Sequence, residues 1–429
     1  MFLFNILIIA TCLPFVLSYD CAYCQPEQIH LAFGEKSNDI VVTWTTYNDT
    51  AESIVKFGEG ILDQQTSGVS QLFVDGGREK RRQWIHRTTI SNLKFNTKYV
   101  YHVGSSFGWS EMFFFKTPPE GNQWVLRAAL YGDMGTENAH SMPYLQEESQ
   151  KGKYDVIIHV GDFAYDMHDN NAQTGDQFMR QIQPVAAYVP YMTCPGNHEE
   201  KYNFSNYKAR FSMPGGFESM MYSWDLGPVH FISISTEFYY FLNYGFHMVR
   251  TQYEWLRNDL EKANKPQNRE KRPWIVLYGH RPMYCSNSDD IDCSVEYTRV
   301  GLPILGLYGL ESYLKDYGVD LVIWAHEHSY ERSWPVYDKQ VYNGTIHPYV
   351  NPGAPIHVVT GSAGCKEELS PFNGPIADWS AVRVYDYGYT KFYVHNHTHM
   401  HLEQIAATKK GEIADDFWIV KDKHERYEL

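Results

Sequence analysis

The sequence predicts two folded parts in succession, an all-β sandwich followed by a layered α/β domain. Three observations favour this class. Residues 25–117 consist of short alternating segments separated by polar turns. Pro118, Pro119 and Gly121 then interrupt the chain, and beyond them apolar strands alternate with helical patterns. With 429 residues, the chain is also longer than one ordinary domain.

Residues 1–18 have the pattern of a signal peptide. Their apolar run is interrupted by Asn5 and Pro14 and is too short to span a bilayer comfortably. No later stretch is long and apolar enough for a membrane helix, so we expect a secreted protein, or one in the lumen of the secretory pathway, without stable membrane insertion. The net charge of −14 gives no general attraction to nucleic acid or to anionic membranes.

Cysteines and glycosylation triplets agree with export. Of the 7 cysteines, Cys12 falls in the signal peptide, and an even number remains, which favours disulfides. Cys285 and Cys293 are the expected pair, because they lie eight positions apart across a polar loop. Cys21 and Cys24 could form a second pair, or alternatively a zinc knuckle. The glycosylation triplets begin at Asn48, Asn203, Asn343 and Asn396.

The segments before the proline pair include IVVTWTT, which contains Trp44, and LKFNTKYVYHV. Together they resemble a fibronectin type III domain. The resemblance implies an N-terminal domain over residues 19–118 with an architectural role. A binding role for Trp109 or for residues 113–115 is the alternative, although aromatic strands more often pack in a core.

In the second part, apolar strands repeatedly end in residues that can bind a metal. The run from Val156 to Val160 suits a buried strand, and it is followed by Gly161, Asp162 and Tyr165. Open α/β sheets bind their ligands at this carboxyl edge. The same pattern recurs along the chain and places the following donors at strand ends: Asp133, Asp162, Tyr165, Asn197, His198, His280, His326 and His328.

The chemistry of these donors favours two cations over one. Carboxylate, tyrosinate and amide oxygens are hard ligands, imidazole is borderline, and no cysteine stands among them. Seven of these donors, all except His198, are too many for one tetrahedral ion but suit two ions that share a carboxylate, about 3.5–4 Å apart. His326 and His328 fit this arrangement, because residues two apart in an extended chain point the same way, about 6.6 Å from one another.

The motifs then carry a resemblance to a family. GDMG at 132–135, GDFAY at 161–165, GNHE at 196–199, GHRPMY at 279–284 and AHEHSYER at 325–332 resemble the five ordered blocks of the purple acid phosphatases. HRPMYCSN followed by WAHEHSYER is most similar to the animal forms that resemble the larger plant enzymes, the iron/zinc or type 7 acid phosphatase-like proteins.

The resemblance implies a fold, an activity and a set of ligands. It implies a metallophosphoesterase domain over 119–350, completed by C-terminal strands over 351–429, that hydrolyses phosphate monoesters with a metal-activated hydroxide. One ferric ion would be held by Asp133, Asp162, Tyr165 and His328. One divalent ion, zinc, iron or manganese, would be held by Asp162, Asn197, His280 and His326, with Asp162 bridging. Two other classes stay open: a phosphodiesterase or nucleotidase with two divalent ions, and a non-catalytic secreted glycoprotein.

His198 is the candidate catalytic residue, as a hydrogen-bond donor to phosphate or to the leaving oxygen. The alternative is that His198 only braces its turn. The sequence departs from the family in two places. No histidine lies between His280 and His326 to protonate the leaving group, and a carboxyl such as Asp289, Asp290 or Glu296 could replace it only with a raised pKa. Ala325 also stands where most members have glycine, which matters only if φ is positive there.

Three further expectations concern the second part. Helices are predicted from Thr251 to Asn264 and from Leu305 to Tyr317, the latter closed by Gly318. His395, His397, His399 and His401 alternate, so we expect them on one face of a strand, either solvated or as a second metal site. His159 and His230 lie inside predicted strands and are expected to be packed or hydrogen-bonded.

Overall fold

The computed structural model describes residues 21–288, 291–303 and 306–428. The predicted signal peptide, residues 1–18, and the candidate acids Asp289 and Asp290 lie outside these ranges. Within the described ranges, no helix has the length and apolar character that crossing a bilayer requires.

The N-terminal part is a sandwich of two antiparallel sheets. One sheet has the strand order β1-β2-β6-β5, and in the other β4-β3-β7-β8 pair in order and β9 also pairs with β7. Alternating side chains of both sheets fill the core, in which Trp44 stacks on His86 with ring centroids 5.0 Å apart. The strands are β1 (Glu27–Phe33), β2 (Ile40–Thr46), β3 (Ile54–Gly58), β4 (Gln64–Ser67), β5 (Val69–Val74), β6 (Arg82–Ile90), β7 (Lys98–Ser105), β8 (Gly108–Trp109) and β9 (Phe113–Lys116).

The second part contains two larger sheets that face each other. The first has the order β12-β11-β10-β24-β25-β26, and the second has the order β13-β14-β15-β18-β22-β19-β23. The strands of the first sheet are β10 (Leu126–Tyr131), β11 (Val156–Val160), β12 (Tyr191–Cys194), β24 (Gly388–Val394), β25 (His399–Ala406) and β26 (Glu412–Val420). Those of the second are β13 (Tyr222–Leu226), β14 (Val229–Ser233), β15 (Trp274–Tyr278), β18 (Leu321–Trp324), β19 (Tyr330–Ser333), β22 (Ile356–Thr360) and β23 (Ser380–Val384).

Parallel pairing in both sheets aligns the strand ends that carry the predicted ligands. β10, β11 and β12 run parallel to one another, as do β14, β15, β18 and β22. Apolar side chains from both sheets fill the space between them, where Phe231 and Phe392 meet with ring centroids 6.3 Å apart. The remaining strands form two short ribbons: β16 (Gly301–Leu302) with β17 (Leu307–Tyr308), and β20 (Val336–Tyr337) with β21 (Gln340–Val341).

Helices lie between the strands, as the sequence predicts, although one predicted helix is shorter than expected. The helix predicted from Thr251 begins at His247 and ends at Ala263, whereas the one predicted from Leu305 begins at Glu311. In the described part of the segment before Glu311, Leu307 pairs with Leu302, which makes an extended ribbon. The helices are α1 (Met142–Gln150), α2 (Asp169–Ala186), α3 (Lys201–Arg210), α4 (His247–Ala263), α5 (Pro266–Arg269), α6 (Tyr297–Val300) and α7 (Glu311–Asp316).

The alternating histidines do not lie on one strand, so that prediction is wrong. β24 ends at Val394, the chain turns, and β25 begins at His399 and runs antiparallel to β24. The turn forms because the side-chain oxygen of Asn396 accepts hydrogen bonds from the backbone N–H of Thr398 and of His399, at 2.8 and 2.9 Å.

Two disulfides are formed among the cysteines of the described residues. Cys285 is bonded to Cys293 and Cys21 to Cys24, so the second pair is not available as a zinc knuckle. Cys194 and Cys365 are buried free thiols.

A buried arginine joins the sandwich to the second part. Arg210, at the end of α3, donates hydrogen bonds to Gln28 Oε1 in β1 and to the carbonyl of Ala172 in α2, both at 3.1 Å. Its guanidinium also pairs with Asp176 of α2 at 2.9 Å, and both side chains are 1% exposed. The sandwich is therefore held to the helices that cover the first large sheet.

Candidate metal centre

The predicted ligands lie at the carboxyl ends of neighbouring strands. Asp133 follows β10, Asp162 follows β11, and Asn197 follows β12 after a Pro-Gly pair. His280 follows β15, and His326 and His328 follow β18. Sharp turns at these ends use left-handed backbone conformations, with φ of 58° at Asp133, 52° at Asp162, 49° at Tyr165 and 72° at His326.

Three of the predicted ligands form a first group of donors. The hydroxyl of Tyr165 lies 3.0 Å from Asp133 Oδ1 and 2.9 Å from His328 Nε2. His328 Nε2 in turn lies 3.6 Å from Asp133 Oδ1. All three side chains are buried, so two hard oxygens and one imidazole nitrogen converge in a space shielded from solvent.

The other four form a second, adjacent group. His280 Nε2 lies 3.1 Å from both Asp162 Oδ2 and Asn197 Oδ1. His326 completes the group, because one ligand atom each from Asp162, His280 and His326 lie within 4.8 Å of one another. The two groups are in direct contact, since the backbone N–H of His326 donates a hydrogen bond to Asp133 Oδ2 at 3.0 Å.

Hydrogen bonds orient two of the imidazoles as metal ligands. His280 donates from Nδ1 to the carbonyl of Val160, and His328 donates from Nδ1 to the carbonyl of Glu368, each at 2.8 Å. Both rings therefore turn Nε2 toward the oxygen donors. A backbone acceptor on the far nitrogen is the usual partner of a metal-bound histidine. This donor set fits two cations.

Glycines allow the ligands to approach this closely. A Cβ on Gly196 would lie 2.2 Å from Asp162 Oδ1, and a Cβ on Gly161 would lie 2.4 Å from His280 Nδ1. Gly161 also has φ of 85°, which favours glycine. Ala325 is not among the residues with positive φ, so its methyl group is tolerated there, and it packs against Gly132.

Glu199 holds the turns of two ligands in place. Its buried carboxylate accepts hydrogen bonds from the backbone N–H groups of Asp162 and Gly196 at 2.9 Å and of Phe163 at 3.0 Å. Burial and the neighbouring Asp162 raise the pKa of Glu199. Burial would also raise the pKa of Asp162, but His280 and His198 lower it well below its usual range. Asp162 therefore stays ionised and available as a ligand.

His198 lies beside this centre with its ring oriented by a carboxylate. Its Nδ1 is 2.7 Å from Asp166 Oδ1, and its Nε2 is 3.9 Å from Asp162 Oδ2. Its backbone N–H also donates to Asp162 Oδ1 at 3.0 Å. Burial would lower the pKa of His198, but Asp162, Asp166 and Glu367 raise it to about 11. Its Nε2–H can therefore serve as a donor at the edge of the site.

The structure also reveals residues that the sequence analysis did not identify. Asp292 Oδ2 lies 2.5 Å from His326 Nε2 and 2.7 Å from Arg281 Nη1. The thiol of Cys365 lies 3.4 Å from His328 Nδ1. The candidate acid Glu296 instead pairs with Arg299 and Lys339, which hold its pKa below the usual value although burial opposes this. Glu296 therefore does not meet the requirement for a raised pKa.

Comparisons with known proteins agree with this arrangement. Three family models match successive parts of the chain: Purple acid Phosphatase, N-terminal domain at residues 26–117, Calcineurin-like phosphoesterase at 126–330, and Iron/zinc purple acid phosphatase-like protein C at 354–416. Acid phosphatase type 7 of Mus musculus is 53% identical over 401 residues, which cover 92% of this chain and 91% of the relative. The chain belongs to the purple acid phosphatase family.

Other members of the purple acid phosphatase family support the same assignment. Acid phosphatase type 7 of Homo sapiens is 52% identical and covers 92% of this chain and 91% of the relative. The solved structure of purple acid phosphatase PPD1 from yellow lupin (Lupinus luteus) seeds is 27% identical, with a TM-score of 0.78, and covers 93% of this chain and 75% of that chain. The predicted order of a sandwich followed by a metallophosphoesterase domain is therefore confirmed.

Proposed function

We propose that this purple acid phosphatase hydrolyses phosphate monoesters at a binuclear metal centre. The observation that carries the proposal is the contact between two groups of potential metal donors, one with a tyrosine hydroxyl and one with amide and imidazole groups. The most similar relatives reported above bear the name acid phosphatase, which supports the same reaction.

In this proposal Asp133, Tyr165 and His328 would hold a ferric ion, Asn197, His280 and His326 would hold zinc, iron or manganese, and Asp162 would be a ligand of both ions. Tyrosinate and carboxylate are hard ligands that suit a ferric ion, whereas the second group suits a divalent ion. When bound, the two ions supply Lewis acidity, which activates a water nucleophile and stabilises charge on the phosphate oxygens. The chain supplies the geometry of the donors and a site that is largely shielded from solvent.

His198 is proposed to donate a hydrogen bond from Nε2 to a phosphate or leaving-group oxygen. Asp166 supports this role because it accepts from Nδ1 and thereby fixes the ring. Nε2 then lies at the edge of the site, 3.9 Å from Asp162 Oδ2 and 3.7 Å from Glu367 Oε1. A donor in this position stabilises charge that develops on oxygen during the reaction.

Export is also part of the proposal. The asparagines of the four glycosylation triplets, Asn48, Asn203, Asn343 and Asn396, are exposed and therefore accessible to glycosylation. The disulfides Cys21–Cys24 and Cys285–Cys293 are typical of oxidising compartments. We therefore propose a secreted or lumenal glycoprotein.

The decisive experiment combines metal analysis with an assay. Purified protein is expected to hydrolyse p-nitrophenyl phosphate at acidic pH and to contain one iron and one further transition metal per chain. Tyr165→Phe should abolish the visible absorbance that tyrosinate gives to ferric iron, while the fold, measured by circular dichroism, stays intact. His198→Ala should retain the metals and lose about 10²-fold or more in kcat. A colourless, iron-free protein without hydrolysis would overturn the proposal.

A further inference from the structure

We propose that Asp292 is a positioning residue for the divalent ion, because it fixes the tautomer and orientation of His326. The inference rests on the proposed binuclear function. It concerns a carboxylate in the loop closed by the Cys285–Cys293 disulfide, which lies against one ligand of the second donor group.

The contacts of His326 favour one of its two ring nitrogens as the metal ligand. Nε2 lies 2.5 Å from Asp292 Oδ2 and 2.9 Å from Arg281 Nη1, so that nitrogen already has close polar neighbours. Arg281 is a donor only, and its Nη1 also reaches Asp292 Oδ2 at 2.7 Å. Asp292 therefore accepts from both the guanidinium and the ring. Nδ1 is left as the nitrogen of His326 that can coordinate an ion together with Asp162 and His280.

In His326 the roles of the two ring nitrogens are the reverse of those in His280 and His328. His280 and His328 donate from Nδ1 to backbone carbonyls and keep Nε2 as the ligand nitrogen. His326 donates from Nε2 to a side-chain carboxylate. A carboxylate in that position makes the imidazole a more basic ligand, and removing such a partner typically reduces metal affinity by about 10- to 100-fold.

The disulfide and an ion pair hold Asp292 in this place. Cys293, the next residue in the chain, is bonded to Cys285, which belongs to the segment that follows His280. Arg281 is fixed from its other side by the buried Glu237, with Nε 3.1 Å from Oε2. Asp292 begins a short 3-10 helix, Asp292–Ser294, and this bond and this ion pair both help to hold it in place.

The test compares metal binding in Asp292→Ala with that in the wild-type protein. Full-length protein is loaded with iron and zinc, and the apparent zinc Kd is measured by competition with a chelator. We expect the zinc Kd to rise about 10- to 100-fold, while the iron content and the visible absorbance stay at the wild-type level. Asp292→Glu, which keeps a carboxylate, should recover part of the affinity.

A matched control is available in Asp259→Ala. Asp259 Oδ2 lies 2.8 Å from Nε2 of His230, so the same type of pair is removed away from the metal centre. This variant should leave the zinc Kd unchanged. The double variant Cys285→Ser/Cys293→Ser should raise the zinc Kd in the same direction as Asp292→Ala.

The outcomes separate this inference from the proposed function. If wild-type protein binds both metals and hydrolyses the substrate but Asp292→Ala binds zinc normally, the inference is wrong and the function stands. An equal loss of iron and zinc would also contradict it, since the ligand that Asp292 contacts, His326, belongs to the second group. If the wild-type protein binds neither metal, both proposals fail.

Discussion

The close approach of Asp162 and His280 depends on residues that have no side chain. Gly196 and Gly161 lie where any Cβ would collide with Asp162 or with His280. Glu199 then fixes the peptide groups on both sides through three hydrogen bonds. The ligand positions are therefore set by the turns as much as by the ligands.

The first prediction concerns Gly196→Ala. The new methyl group would lie 2.2 Å from Asp162 Oδ1 and 2.7 Å from the Asp162 backbone nitrogen, so the carboxylate must move. Because a displacement of about 1 Å can cost about 10²-fold in rate, we expect a loss of that size in kcat/KM for p-nitrophenyl phosphate. Metal content is measured in parallel. Gly216→Ala is the control, since nothing lies within 4 Å of its Cβ position, and equal activity of both variants would contradict the argument.

At the scale of the residue, the sequence predicts well which potential ligands converge, and it predicts their hydrogen-bond partners poorly. Asp162 and His280 could be predicted because each directly follows an apolar strand, and strand ends converge. Asp292 could not be predicted, because it lies in a loop. Its contact with His326 depends on the neighbouring disulfide and does not follow from the order of the strands. The only available signal was the position of an aspartate next to a predicted disulfide cysteine.

Among the elements, α2 and α3 also contact the sandwich. The second prediction is that Arg210→Met lowers the free energy of unfolding by about 3 kcal/mol, because the buried carboxylate of Asp176 loses a positively charged partner. Urea unfolding monitored by tryptophan fluorescence measures the change. Lys208→Met, on the same helix, removes a pair with the largely exposed Glu218 and should cost about 1 kcal/mol or less. A similar cost for the two variants would contradict the proposed role of Arg210.

The wrong element predictions have physical causes. The segment before α7 contains Pro303, Gly306 and Gly309, and Gly306 has φ of 56°, so a ribbon forms where the apolar pattern suggested a helix. In the C-terminal hairpin, alternation of histidines continues on both sides of the turn at Asn396 and therefore hides it. A period-two pattern indicates an extended chain, but it does not distinguish one long strand from two strands joined by a turn.

At the scale of the whole molecule, acid stability depends on a buried charge cluster next to β18. Asp320 is fully buried and lies 2.6 Å from Lys421 Nζ, 3.5 Å from Arg269 Nη2 and 3.5 Å from His424 Nδ1. Burial would raise the pKa of Asp320, but Lys421 and Arg269 lower it well below the usual value. The cluster connects the C-terminal segment to the sheet that carries His326.

The third prediction follows from the sign of that shift. A carboxyl with a lowered pKa in the folded state stabilises the fold above its unfolded pKa of about 3.9, and this contribution is lost as the pH falls further. The free energy of unfolding should therefore decrease below about pH 4, and more steeply for the wild type than for Asp320→Asn/Lys421→Met. Urea titrations at several pH values measure the slopes. Glu254→Gln/Arg250→Met, which removes an exposed helical pair, should keep the wild-type slope.

The overall architecture was predictable in its order but not in its sheet assembly. Local patterns indicate a sandwich followed by strands and helices. They do not indicate that β24, from the C-terminal region, pairs antiparallel with β10 and completes the first large sheet. That pairing joins residues more than 250 positions apart, and nothing in the periodicity of either strand specifies its partner.

The left-handed conformations of Asp133, Asp162, Tyr165 and His326 bear on any attempt to engineer the protein. Each costs on the order of 1 kcal/mol for a residue with a side chain, and glycine would remove that cost. A screen that selects only for heat resistance would thus enrich for glycine at these positions, and these replacements would remove side chains of the catalytic site. Libraries for thermostable variants should keep these four codons constant and select for turnover in every round.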